Sequence, residues 1–369
     1  MVKMKETKMK NNKVIGTFLK IVRIDSPTGY EQNVSLYITD FLNKIGLKSE
    51  TDKNGNVITF LNGKKDLQPY LLNAHLDTVE PGRGITPQIK NGWIQSLGDT
   101  ILGADNKTAV AAILEVLRKL ISSPPEKRHP LEIIFTTSEE SGNIGASNLD
   151  YSRLKSRLGY SFDMSSVNFG DIMLSSPFYN RLDIEIIGKT GHAKAPEKSI
   201  NVLPVLGRAL NKLKVGRISK NTIANIGIVR IGEAVNSIPG NAILNGEDRS
   251  TVEKELETTT AQIMKIFNDA IEGSGCKLKT KITRENGGYK YDKNDEFVIK
   301  SIKTIKSLGI KPTLIDSFGC ADANIFAEHN IKILCIADGS INSHTVNEKI
   351  RVSDLERLVD LILKLISIK

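Results

Sequence analysis

Cysteine is scarce in this chain. Cys276, Cys320 and Cys335 are the only three in 369 residues, and no two of them form a CxxC pair. That excludes a disulfide framework and a thiolate-rich zinc site, and the thiols read as reduced. Aromatic residues are also few, at 5%, and Lys and Arg are scattered along the chain. A nucleic-acid-binding face needs clustered cations and stacking aromatics, so the formal charge of +9 reads as a solubilising surface with no nucleic-acid partner. No apolar run approaches the roughly 18 residues of a membrane span. The opening "MVKMKETKMKNNKV" is basic but is followed by no apolar core of a secretory signal, so the expected compartment is the cytoplasm. Internal repeats and low-complexity segments are absent.

What is present describes a soluble globular protein, 40% apolar and 25% charged, long enough for two domains. Residues 33–47 place Val34, Tyr37, Ile38, Phe41, Leu42 and Ile45 on one helical face. "GNVITFLN", "PYLLNAHLD", "HPLEIIFTTSEE" and "LGYSFDMSS" read as short buried strands, and "GADNKTAVAAILEVLRKLI" reads as a helix between them. Strands apolar on both faces that alternate with helices predict an α/β fold with a mainly parallel sheet. Near residue 178 the pattern changes. "YNRLDIEIIGK", the helix "SINVLPVLGRALNKLK", the strands "TIANIGIVRIG" and "NAILNGEDRS", the helix from Glu253 and the strand "KLKTKITREN" give the order βαββαβ. That order is ferredoxin-like. The α/β alternation then resumes with a helix from Asn294, the strand "IKILCIADG" and the helix "VSDLERLVDLILKLI". The expected organisation is therefore a catalytic-type domain, residues 1–177 and 291–369, with an α+β domain inserted at 178–290.

Polar groups follow the apolar strands. "NAHLDTV" ends one strand with His75 and Asp77, two positions apart and so on the same face. Asp105 lies at the start of a helix, Glu139 and Glu140 end "LEIIFTTSEE", Asp163 ends "LGYSFD", and His344 follows "IKILCIADG". Taken singly, each has an ordinary reading: a solvated turn, an N-cap aspartate or a charged loop. Taken together they differ, because an open parallel sheet gathers ligands outside the carboxyl ends of its strands. Two histidines with three or four carboxylates suit a borderline divalent ion, zinc ahead of manganese or cobalt. One bridging carboxylate would let two ions sit about 3.5–4 Å apart.

The ordered motifs "HLDTV", "GADNK", "TTSEESGNIGA", "SFD", "GHAKAPEKSIN", "NSIPGNAILNGEDRS", "FGCADANIF" and "NSHTVNEKI" resemble the zinc-dependent peptidases and amidohydrolases that include aminoacylase, carboxypeptidase G and tripeptidase. The peptidase T-like branch fits best. The resemblance implies a dinuclear zinc-peptidase domain with an inserted lid or dimerisation domain. It implies that Asp105 bridges two metal ions, that His75 and Asp163 bind one, and that Glu140 and His344 bind the other. Glu139 would be general base and acid, and Asp77 would orient His75. His192 would help hold an oxyanion, in its own site or a partner's, while Arg249 and Asn241 would lie near substrate. The bland alternatives are an ordinary turn for His192 and a surface ion pair for Arg249. The implied activity is metal-dependent hydrolysis of an amide bond in small peptides, as a tripeptide aminopeptidase. Alternatives are a dipeptidase, an N-acyl-amino-acid deacylase, or an inactive scaffold relative. The resemblance also leaves room for a homodimer through the inserted domain. Asn106, Phe318, Cys320 and the residues after Asp163 depart from the family pattern, which leaves the shape of the substrate pocket open.

Overall fold

The structure, a computed structural model, describes residues 13–165 and 167–368. Apart from Lys13 and Val14, the basic opening segment lies outside these residues. The chain forms two compact units. One runs to Leu174 and takes in Tyr291–Ile315 and the residues from Ala321; the other comprises Ser175–Lys290 with Asp316–Cys320. The segment Asp316–Cys320 thus goes with the smaller unit, whereas the sequence pattern assigns it to the larger. No local periodicity in five residues reports such a return.

The larger unit is built on a six-stranded sheet ordered Ser49–Thr51, Val57–Leu61, Leu131–Thr136, Tyr70–His75, Leu158–Ser161 and Lys332–Cys335. The last four strands are mutually parallel, and the first two join antiparallel. Every residue of Tyr70–His75 and of Leu131–Thr136 is buried, as the continuous apolar runs require for strands covered on both faces. The helix Ala104–Leu120 packs against Lys13–Ile21 and Val352–Leu365. It contributes Val110, Ile113, Leu114 and Leu117, all fully buried, to one continuous core. Each such side chain stabilises the fold by roughly 1.5–3 kcal/mol relative to exposure. A hairpin not anticipated from sequence pairs Pro87–Lys90 with Trp93–Ser96. Its two-residue turn holds Asn91 at φ 51° and Gly92 at φ 80°, the left-handed pair that tight hairpins need.

The smaller unit carries an antiparallel sheet ordered Gly216–Arg217, Thr222–Ile231, Asn241–Ser250, Phe178–Ile187 and Lys277–Asn286. Its long strands and two helices run βαββαβ in chain order, the ferredoxin-like arrangement. Pro204 is the second residue of the helix Leu203–Lys212, where its missing N–H costs nothing. Leu182, Ile184, Ile186, Leu244, Ile263 and Phe267 form its separate core.

One buried carboxylate lies beside that core. Asp248 is fully buried; its Oδ2 accepts the Thr260 hydroxyl at 2.5 Å, and its Oδ1 has no partner among the described residues. Burial pushes its pKa up from 3.8 to about 6, against the hydrogen bond from Thr260. A raised folded pKa means stability that is fully present below the unfolded value and lost as pH climbs through the folded one. Asp248→Asn mimics the protonated form. Its stability should exceed that of the parent by on the order of 2 kcal/mol at pH 7.5, with the gap falling below about 1 kcal/mol at pH 4. Denaturant unfolding at the two pH values measures this, and an equal difference at both would contradict it.

Candidate metal centre

The carboxyl ends of the four parallel strands bring the sequence-predicted residues together. His75 closes the strand Tyr70–His75, Glu139 and Glu140 follow Leu131–Thr136, Asp163 follows Leu158–Ser161, and His344 lies in the connection after Lys332–Cys335. Asp105 comes from the beginning of Ala104–Leu120. Its carboxylate does not serve as a cap for that helix but turns to the two histidines, and its own φ/ψ of −80°/107° is non-helical. Asn106 is buried and neutral, so it adds no charge to a cluster already rich in carboxylates.

Asp105 presents one oxygen to each histidine. Its Oδ1 lies 3.2 Å from His75 Nε2, and its Oδ2 lies 3.4 Å from His344 Nε2. Asp163 Oδ1 is 3.8 Å from His75 Nε2, and Glu140 Oε1 is 2.9 Å from His344 Nε2. Two donor groups follow, His75–Asp105–Asp163 and Asp105–Glu140–His344, with Asp105 common to both. Within each, the ligand atoms lie within 4.8 Å of one another. Nitrogen and carboxylate donors bind divalent zinc at about 2.0–2.2 Å, so donor separations in this range fit such an ion. A third group joins His75 to Glu139 and Glu140.

The surrounding contacts orient these donors. His75 Nδ1 is 3.0 Å from the backbone carbonyl of Asp77, which keeps a hydrogen on Nδ1 and turns Nε2 toward the carboxylates. The Asp77 carboxylate is 3.4 Å from the same nitrogen, so the carbonyl makes the closer orienting contact. That carboxylate also accepts the backbone N–H groups of Glu139 at 2.9 Å and Glu140 at 3.1 Å, and the Thr28 hydroxyl at 2.8 Å. It therefore ties the strand of the first histidine to the acidic turn. Glu31 holds the residue before that turn, accepting the N–H and hydroxyl of Ser138, which sits at φ 52°. Glu348 does the same for Asp105. Its buried carboxylate accepts the N–H groups of Leu102 at 2.8 Å, Gly103 at 2.6 Å and Asp105 at 3.0 Å. Sequence reasoning passed over Glu31 and Glu348. The signal for Glu348 was its place four residues after His344 in "SHTVNEKI"; Glu31 had only the turn "SPTGYE".

The residues expected near substrate belong to the smaller unit. The His192 side chain is exposed, and its Nδ1 accepts the Lys194 N–H at 3.2 Å, which leaves Nε2 as the donor, without a partner among the described residues. Arg249 donates to the Phe318 carbonyl at 3.0 Å and to Glu247 at 2.9 Å, with its guanidinium 4.3 Å from the centre of the Tyr179 ring. Asn241 donates to Glu185 at 3.1 Å. The ion-pair reading of Arg249 thus has a real partner in Glu247.

The charge balance of the cluster is carried by protons. Burial disfavours a charged His75, but Asp163, Asp105 and Asp77 outweigh it and raise its pKa well above the usual value. Hydrogen bonds to Asp105 and Glu140 push His344 up to about 11. Burial, then the neighbouring Asp105, raises Asp163 to about 7. Burial and the charge of Asp163 also hold Glu139 well above the ordinary carboxylate range. A divalent ion must displace those protons from its ligands. Affinity for zinc, cobalt or manganese should therefore rise between pH 6 and 8, by about tenfold per pH unit for each proton released. Isothermal titration in buffers of different ionisation enthalpy counts the protons; a flat pH dependence with none released would contradict the coupling.

Comparisons with known proteins agree with this geometry. The profile of peptidase family M20/M25/M40 matches residues 71–368. The uncharacterised protein YqjE of Bacillus subtilis is 31% identical over 363 residues, covering 96% of this chain and 97% of that one. Peptidase T of Clostridium botulinum is 22% identical, with 95% and 98% covered. Among solved structures, the aminopeptidase PepT of Bacillus cereus superposes with a TM-score of 0.88 at 32% identity, covering 96% and 97%. A tripeptidase of Staphylococcus aureus does so with a TM-score of 0.90 at 29% identity and the same coverage.

Proposed function

Since the chain belongs to peptidase family M20/M25/M40 and is a metal-dependent peptidase, we propose that it removes the N-terminal residue of small peptides, tripeptides foremost, through a dinuclear zinc centre. The observation that carries this reading is the shared carboxylate of Asp105, one oxygen to each histidine. In it, Asp105 would be the ligand common to both ions, His75 and Asp163 would complete one site, and Glu140 and His344 would complete the other. Bound there, the ions would supply Lewis acidity, bringing the pKa of the attacking water toward about 7 and polarising the scissile carbonyl.

The chain's own residues do the remaining work. Glu139 stands beside the donor groups and is held by its backbone N–H to Asp77. Its carboxylate takes a proton from the attacking water and passes one to the departing amine, the general base and acid of the cycle. Asp77 keeps Nε2 of His75 unprotonated for binding by holding Nδ1–H. His192 supplies its Nε2–H to the developing oxyanion, a contact often worth roughly 3 kcal/mol. Arg249 and Asn241 act as anchors for polar groups of the substrate. The inserted unit serves as a lid and as the surface of a homodimer, and the compartment is the cytoplasm.

Glu139→Gln should bind two equivalents of metal like the parent while kcat falls by about three orders of magnitude or more. Metal analysis and mass spectrometry of products from di-, tri- and N-acylated peptides, with added zinc, cobalt or manganese, measure both. Undiminished turnover sinks the role of Glu139. Preferential cleavage of N-acylated substrates or of dipeptides would replace the tripeptidase assignment with the deacylase or dipeptidase alternative. If His192 serves a partner's site, mixing Glu139→Gln with His192→Ala subunits should recover activity that neither has alone. A mixture no more active than its parts would contradict service in trans.

A further inference from the structure

The side chain that moves the proton has a support of its own. Asn143 is buried, sits at φ 58° and precedes the short helix Ile144–Ser147. Its single Nδ2 donates twice, to Glu139 Oε1 at 3.0 Å and to Asp322 Oδ1 at 3.2 Å. Asp322, also buried, opens the helix Asp322–Glu328. Its other oxygen accepts the Thr136 hydroxyl and, at 3.4 Å, Asn73 Nδ2. Thr136 ends the strand that leads to Glu139, and Asn73 lies on the strand that ends at His75.

A primary amide has two N–H donors on one nitrogen and one carbonyl acceptor. Here both donors are committed to carboxyl oxygens. Against ionised carboxylates the flipped amide would turn its oxygen toward two negative charges, so that state holds Asn143 in one orientation. Asp322 is locked in turn by groups on two buried central strands. The result is a chain of contacts from the sheet to one oxygen of Glu139.

We propose that Asp322 and Asn143 form a positioning relay for Glu139, in which the Asn143 amide holds Oε1 and leaves Oε2 as the oxygen that exchanges the proton. Neither residue touches the reacting atoms; both act through Glu139. The inference rests on Glu139 being the proton carrier, as argued above. Its physical basis is the sensitivity of proton transfer to the placement of the acid–base group.

The test uses Asn143→Gly, because glycine accepts φ 58° and keeps the backbone of the turn, with Asp322→Asn and Asp322→Ala alongside. Asp322→Asn retains an acceptor for the Asn143 amide, and Asp322→Ala does not. With a peptide the parent cleaves, Asn143→Gly should lower kcat by about 10- to 100-fold while KM and bound metal per chain stay within about twofold. Asp322→Ala should behave likewise, and Asp322→Asn should retain kcat within about threefold. In crystals of the metal-free protein, the Glu139 side chain should occupy one rotamer in the parent and several in Asn143→Gly. Unchanged kcat in Asn143→Gly overturns the relay. So does a loss of kcat that comes with lost metal or a comparable rise in KM, because that pattern marks a structural role. If Asn143→Gly fails to fold, the contrast between the two Asp322 variants decides in the same way. Full turnover in Glu139→Gln removes the premise instead, and is distinguishable from failure of the relay alone.

Discussion

The structure turns on the burial of many carboxylates in one place. Asp77, Asp105, Glu139, Glu140, Asp163 and Asp322 converge at the carboxyl edge of a parallel sheet, in surroundings that solvate charge poorly. Such a cluster is tolerable only with positive charge inside it. In the polypeptide alone His75 and His344 answer that need for positive charge, their pKa values raised by the carboxylates around them, and the buried Lys107 lies in the field of Asp77 and Glu348. Divalent ions supply it more effectively and release the histidine protons. The same repulsion that makes the site costly to assemble makes it selective for cations.

That cost explains the depth of support around the donors. Asp77 grips the acidic turn, Glu31 grips the residue before it, and Glu348 grips the loop of Asp105. Each support is a carboxylate accepting backbone N–H groups, so it fixes a chain segment and not merely a side chain. These contacts are largely buried, the condition under which a hydrogen bond positions most firmly. Asn143 and Asp322 extend the pattern to a side chain, the carboxylate of Glu139.

Much of the fold could be read locally. A strand covered on both faces must be apolar throughout, as "YLLNA" and "LEIIF" are, and a half-covered strand must alternate, as "RLDIEII" does. Those periodicities separate the parallel sheet from the ferredoxin-like unit without any knowledge of contacts. The candidate donors were legible for a related reason: His75, Glu139, Glu140 and Asp163 follow apolar strands directly, and the ends of parallel strands share one edge, while Asp105 opens a helix and His344 lies in the connection after the last strand. The hairpin at Asn91-Gly92 carried an equally local turn signal that was passed over. Asp322 lay in view within "FGCADANIF", but nothing in those nine residues says that its carboxylate meets Asn143.

The sequence by itself determined the alternation of elements, the family of motifs and the residue types gathered for metal chemistry, because each follows from periodicity or from residues close in the chain. Only the tertiary structure decided which carboxylate is shared, which oxygen faces which histidine, and which buried groups hold the rest. Asp105 meets Glu348 across 243 residues, Ser138 meets Glu31 across 107, and Asn143 meets Asp322 across 179. Hydrogen-bond partners so far apart leave no period or spacing in the chain. They are selected by how the strands and helices pack, and that packing exists only once the core has formed.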